Sequence, residues 1–201
     1  MRYGILAGVV SLGMLVTAAQ AQEGSRNDVT VSALGSFQQN TSGNGVNQTA
    51  NSNAGVLFSY RYFFTDHQGI EANYGFTRYD QQFTGSSLAQ TVTANTSEAN
   101  LSYVFRFGIG HGLTPFFSAG TGALVFAPQH AFNLNGIGSS TFDTPDFVYS
   151  AGADLALSKR VSLRLGYRGH VFQAPDFGVS TLHTGSIAHM AEPFGGLSFH
   201  F

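Results

Sequence analysis

The chain contains no cysteine and no tryptophan, and only 10% of its 201 residues are charged. The lack of cysteine excludes a disulfide framework, a thiolate metal site and a lipidated N-terminal cysteine. With 9 Lys and Arg against 11 Asp and Glu, the formal net charge of -2 offers no basic footprint for nucleic acid. The charged content is far below the roughly 25% of ordinary soluble domains. Also missing, beyond residue 21, is any apolar run approaching the roughly 20 residues of a bilayer-crossing helix. No helical period survives for more than a turn or two.

What is present begins with an export signal. Arg2 precedes an apolar run from Gly4 to Val16, and "TAAQA" sets Ala19 and Ala21 at the small-residue positions of a cleavage site. Residues 1–21 are therefore expected to be a cleaved signal peptide, leaving 22–201 as one domain.

After the signal, the repeating unit is the alternating strand. Eight segments carry it: "VTVSALGSFQQ" from Val29, "AGVLFSYRYFF" from Ala54, "IEANYGFTRYDQQ" from Ile70, "NTSEANLSYVFRF" from Asn95, "PFFSAGTGALVF" from Pro115, "DFVYSAGADLALS" from Asp146, "VSLRLGYRGHVF" from Val161 and "SIAHMAEPFGGLSFHF" from Ser186. Short connections (65–69, 108–114, 158–160) alternate with long, Asn-, Ser-, Thr- and Gly-rich ones (40–53, 83–94, 127–145, 173–185). A soluble sandwich has no reason to lengthen every second connection, whereas an outer-membrane barrel has short periplasmic turns and longer extracellular loops. The expected fold is all-β, an eight-stranded antiparallel up-and-down transmembrane β-barrel with both termini periplasmic.

The charges sort to one face. In the seventh segment Val161, Leu163, Leu165, Tyr167 and Val171 oppose Ser162, Arg164, Arg168 and His170; in the fourth, Leu101, Tyr103, Phe105 and Phe107 oppose Glu98, Asn100, Ser102 and Arg106. The same parity turns Arg61, Glu71, Asp154 and Glu192 inward, while the fifth segment is apolar on both faces and cannot be oriented. An eight-stranded barrel is just wide enough for side chains to fill it. Arg61, Arg106, Arg164 and Arg168 against Glu71, Glu98, Asp154 and Glu192 form a matched set, as a nearly dry interior requires.

With these features the sequence resembles the small outer-membrane barrels of Gram-negative bacteria, in particular the transmembrane domain of the OmpA-like family. The resemblance covers essentially the whole of residues 22–201. It rests on the strand and loop rhythm, on "GADLALSKRVSLRLGYR" (152–168) and on the ending "GLSFHF". That ending is similar to the family's C-terminal assembly signal, here Gly196, Phe199 and Phe201, although Phe194 stands where the signal usually has a polar residue. The resemblance implies outer-membrane lipid and lipopolysaccharide as surroundings and the barrel-assembly machinery as a partner during insertion. The chain ends at the barrel, so peptidoglycan anchoring by a further domain is not expected.

Other chemistries find little support. A hydrolase needs a nucleophile, a base and an orienting acid within reach; Ser186, His189 and Glu192 are the nearest candidates, but spacing of three alternates faces and separates them by about 10 Å per step. The seven histidines are scattered singly, without metal-ligand spacing. "GIGHG" lacks the Lys and Ser/Thr of a phosphate loop and reads as a turn. No catalytic residue, cofactor or metal is expected. Three function classes remain: a structural or surface-interaction barrel with a lumen filled by paired charges, a small pore or hydrophobic-solute channel, and, least favoured, a lipid-modifying enzyme.

Overall fold

A computed structural model describes residues 26–85, 88–108, 112–134 and 137–201. The signal segment and the centre of the 108–114 turn lie outside the described residues. Twelve strands follow in order: β1 (Asn27–Gln38), β2 (Thr41–Gly43), β3 (Val46–Ala50), β4 (Asn53–Phe63), β5 (Gln68–Gly85), β6 (Leu88–Arg106), β7 (Leu113–Pro128), β8 (Asn133–Leu134), β9 (Ile137–Gly138), β10 (Phe142–Ala156), β11 (Val161–Gln173) and β12 (Ile187–His200). The eight long ones pair antiparallel in sequence order, and β12 returns to β1 from Asp28↔His200 to Gln38↔Met190, closing the barrel. Closure gives each of the eight long strands two neighbours, the condition for crossing lipid with strands.

Alternation decides the faces. Even-numbered residues point inward on β1, β6, β7, β10, β11 and β12, and odd-numbered ones on β4 and β5. Outside stand Val31, Phe58, Tyr60, Ile70, Tyr74, Leu101, Tyr103, Phe147, Leu165 and Phe199, all exposed, as suits a lipid-facing wall. The strand that resisted orientation, β7, turns Phe116, Ser118, Leu124 and Phe126 into the barrel and Leu113 and Phe117 outward.

The connections depart from the sequence reading. Residues 83–94 are no long loop: β5 and β6 continue to Gly85 and from Leu88 in one unbroken ladder. Tyr79, Phe83, Val92 and Ala94 supply buried inward positions while Arg78, Asp80 and Gln82 face out. A wall that rises past the bilayer has a polar outer face, and that masks the strand in a reading tuned to apolar exteriors. Residues 40–53 hold the β2–β3 hairpin, which extends the wall through β3 onto β5. The 127–145 connection holds the small β8–β9 hairpin, and β10 begins at Phe142 rather than Asp146.

The seam between β1 and β12 has one tight point. Gly196 faces inward, and a Cβ there would lie 2.1 Å from the Val31 carbonyl oxygen and 2.3 Å from Ser32 Oγ. Only hydrogen fits without moving backbone. Gly196→Val is therefore expected to lower the urea stability of the refolded barrel by at least about 1–3 kcal/mol, whereas the same change at Ala33, exposed on the outer wall beside it, leaves the midpoint nearly unchanged.

Candidate functional site

Inward-facing residues build the lumen in layers. Nearest the chain termini, Arg61 on β4 pairs with its direct cross-strand partner Glu71 on β5 and lies 3.6 Å from Asp154 on β10. Asp154 in turn holds Arg164 on β11 in a fork, with Nε and Nη2 donating at 2.6 and 3.0 Å. Arg164 Nη2 stands 3.6 Å from Asp28 on β1, and its Nη1 donates to Thr30 Oγ1 at 2.8 Å. The Phe116 ring lies under both guanidinium groups, 3.9 Å from Arg61 Cζ and 5.4 Å from Arg164 Cζ. That cation–π contact gives an inward aromatic a reason to occupy a charged layer.

One layer further from the termini, Arg168 on β11 pairs with Glu98 on β6 and donates to Glu192 on β12 at 2.6 Å. His170 sits beside it, Nδ1 2.6 Å from Asp146 on β10 and Nε2 3.2 Å from Arg168 Nη2. Nε2 also lies 3.1 Å from Glu98 Oε2 and 3.4 Å from Glu192 Oε2, so the imidazole stands among three carboxylates. Ser36 donates to Glu192 Oε1 at 2.8 Å and is hydrogen-bonded to Tyr79. Arg61, Arg164 and Arg168 are each 1% exposed.

A third layer, at the long-loop end, is apolar. Tyr79, Phe83, Val92, Leu124, Phe126, Phe172 and Met190 form one buried cluster with Phe177, Val179 and Leu182 from the 173–185 connection. That connection folds into the barrel mouth. Phe177 and Gly178 adopt positive φ (55° and 75°), Asp176 Oδ1 accepts from Gly178 N at 2.9 Å, and Ser140 N donates to the Phe177 carbonyl at 2.8 Å. A 3-10 turn at Ser180–Leu182 then sends Leu182 inward.

Of the eight charged residues singled out in the sequence, seven stand in the two ionic layers. Arg106 does not pair with a carboxylate there. Although its parity is inward, it ends β6 at the terminus end of the barrel, where it stacks 3.7 Å over Phe63 and donates to the Asp66 carbonyl at 2.8 Å. The matched set of four against four is thus replaced by three arginines facing six buried or nearly buried carboxylates, with Asp28 and Asp146 added. His200 and His170 stand against those two aspartates. Both aspartates precede an apolar residue, Val29 and Phe147, and inward parity was the one signal that could have found them.

Glu98, His170 and Glu192 bring ligand-type atoms within 4.8 Å of one another from three strands, an arrangement that sequence spacing concealed. Arg168 donates to both carboxylates beside the imidazole, so a guanidinium already supplies the cation between them. Ser186, His189 and Glu192 are not brought together: Ser186 donates to the Ser42 carbonyl, His189 faces outward onto Tyr149 and Glu192 faces Arg168. Of the terminal residues, Gly196 lines the seam, Phe199 is exposed on the outer wall, and Phe201 exchanges backbone hydrogen bonds with Asn27.

A closed barrel of eight long strands, lipid-suited outside and ion-paired inside, has known counterparts. Residues 7–187 match the outer membrane protein beta-barrel domain. The chain belongs to that family, and it is an outer-membrane barrel. Among solved structures, Neisserial surface protein A is similar over 89% of this chain and all of its own, at TM-score 0.59 and 16% identity. OprG of Pseudomonas aeruginosa is similar over 88% of this chain and 96% of its own, at TM-score 0.63 and 11% identity. Ail of Yersinia pestis, the attachment invasion locus protein, in complex with the heparin analogue sucrose octasulfate, matches over 88% of this chain and 99% of its own, at TM-score 0.52 and 15% identity. At these identities the likeness is one of fold. Among curated proteins, none matches the chain.

The middle layer yields a direct test. Arg168→Ala leaves Glu98 and Glu192 facing each other without their shared cation, and breaking a buried pair in this way costs about 3–5 kcal/mol. The refolded variant should unfold at lower urea than wild type, and Arg168→Ala combined with Glu98→Gln and Glu192→Gln should recover part of the loss. An unchanged midpoint in the single variant would mean that the layer is solvated and contributes nothing.

Proposed function

We propose that this family member is a plugged outer-membrane barrel with a structural or surface-interaction role, its long-loop end extracellular and both termini periplasmic. The observation that carries the reading is occupancy of the lumen axis: two layers of buried guanidinium–carboxylate pairs lie beneath an apolar plug of Phe177, Val179 and Leu182. A conducting pore would leave its charges facing water rather than holding one another. Outer-membrane lipid and lipopolysaccharide surround the wall, and the loops meet the outside.

The segments at the long-loop end, the β5–β6 tip among them, also limit what kind of partner they suit. Residues 40–53, 83–94, 127–145 and 173–185 contain no Lys or Arg, and their only carboxylates are Asp143 and Asp176. Ail was crystallised with a polyanion, but a polyanion needs clustered cations, which these segments lack. The partner we favour is uncharged and rich in hydroxyl groups, matched by Asn, Ser, Thr and Gln.

The apolar chamber of Phe83, Leu124, Phe126 and Phe172 supports a second reading, a hydrophobic-solute path opened when the 173–185 plug withdraws. Planar-bilayer recording of the refolded protein separates the two. The plugged barrel should show little single-channel conductance, and replacing residues 175–184 by a short Gly-Ser linker should still leave the ionic layers as a barrier. Steady large channels in the wild-type protein would overturn the plugged reading. For orientation, tags in 40–53 and 127–145 should be labelled on intact cells; labelling at Asp66 or Lys159 instead would reverse it.

Gly196, Phe199 and Phe201 are proposed as the signal read by the assembly machinery. Deleting Phe201 should lower the amount of folded protein in the outer membrane of cells far more than it lowers the urea midpoint in detergent. Equal losses would reduce the residue to packing.

A further inference from the structure

At the terminus end of the lumen, three adjacent strands bring together an acid, an imidazole and a hydroxyl. Asp28 on β1 and His200 on β12 are direct cross-strand partners, and Ser162 on β11 pairs with Ser198, the inward residue next to His200. Asp28 Oδ1 lies 2.7 Å from His200 Nδ1, and His200 Nε2 lies 2.7 Å from Ser162 Oγ. The carboxylate fixes the tautomer: Nδ1–H donates to Asp28, which leaves the Nε2 lone pair to accept from the Ser162 hydroxyl. This is the order of groups that activates a serine nucleophile, and it is recognised by geometry rather than by chain order.

Two further features separate it from a simple seam latch. A latch between the first and last strands needs only Asp28 and His200, whereas here a third strand supplies a hydroxyl on the far nitrogen. Asp28, 1% exposed, is also held 3.6 Å from Arg164 Nη2, which keeps it an acceptor. His200, with its side chain 17% exposed, is the member that the barrel mouth reaches, and Ser162 lies behind it at 2%. A substrate reaches a hydroxyl this buried only if it is small and the imidazole swings aside.

The arrangement provides little for the developing oxyanion. The β11 amides are committed to the ladders with β10 and β12. Across the ladder from Ser162, the Ser198 hydroxyl accepts from Thr30 Oγ1 at 3.0 Å and so retains its own proton. Losing one oxyanion donor costs about 10²- to 10³-fold in turnover. Nucleophilic attack is therefore provided for better than rapid turnover is.

We propose that Ser162 is an activated nucleophile that takes the acyl group of small carboxylic esters entering from the terminus end. Ser162 Oγ bonds to the ester carbonyl carbon as its proton passes to His200 Nε2. The bond from that carbon to the alcohol oxygen breaks, and the alcohol leaves with the proton. Water, deprotonated by the same imidazole, then cleaves the acyl–serine bond, releasing the carboxylic acid and restoring the hydroxyl. This site is at the opposite end from the loops and does not rest on their proposed role.

The test uses the full chain refolded in detergent and exposed to p-nitrophenyl acetate and, separately, to a small fluorophosphonate, with intact mass and peptide mapping as readouts. One adduct per chain at Ser162 is expected, with a burst of p-nitrophenol larger than the following steady rate. Ser162→Ala should abolish the adduct, and His200→Gln should slow its formation at least tenfold while the heat-modifiable gel shift still reports a folded barrel. Folded wild-type protein that takes no adduct would overturn the proposal, as would an adduct at Ser162 whose rate is the same in folded His200→Gln.

Discussion

Everything in this molecule follows from the absence of water in the bilayer interior. An unpaired amide there costs several kcal/mol, so strands cross only when every one has two neighbours. Eight strands satisfy that rule when β12 returns to β1, and the return brings Gly196 so near the Val31 carbonyl that no side chain fits. The same closure fixes the bore. In a lumen this narrow, inward residues must fill the space, and any charge placed there must find its counter-charge inside.

That second requirement explains the layering. Arg61 and Glu71, and Arg164 and Asp154, are direct cross-strand partners, so the ladder itself delivers each pair. Arg168 also has its cross-strand partner in Glu192, but it reaches over the lumen to Glu98 on β6 as well. The second contact ties opposite walls together. Gly75 permits it: a Cβ at that position would lie 2.2 Å from Glu98 Oε1, so the missing side chain is where the carboxylate lies.

The fold was legible because parity is a local property. Once Leu163, Leu165 and Tyr167 face lipid, Arg164 and Arg168 must face inward, and no knowledge of the neighbouring strand is needed. What could not be read locally was the partner across the bore or the role of residues outside the bilayer. Asp28 and Asp146 carry no mark in the sequence beyond inward parity; closure of β12 onto β1 sets Asp28 beside His200, and the β10–β11 ladder sets Asp146 beside His170. Phe177, Val179 and Leu182 lie in a connection whose composition resembles the other loops, yet they are fully buried because the barrel mouth below them is apolar. Arg106 shows the reverse case, an inward parity that runs out at the terminus end of the barrel, where a ring and a backbone carbonyl replace a carboxylate.

The outer wall is uneven in height. On β10 and the residue after it, outward apolar positions run from Phe147 to Leu157, about 33 Å along the strand and about 25 Å of height at a tilt near 40°. On β5 the corresponding run from Ile70 to Phe76 covers about 20 Å of strand and about 15 Å of height. Above it Arg78 donates to Asn95 at 3.2 Å, and Asp80 accepts from Thr93 at 2.6 Å and from Asn51 at 3.1 Å. These polar groups are hydrogen-bonded across the ladder, which sets Arg78 level with Asn95, Ala127 and the start of β10, on the loop side of Phe147, so the patch lies above the apolar band. The tall β5–β6 ladder then emerges from the membrane above Phe76, with its outward polar pairs in water.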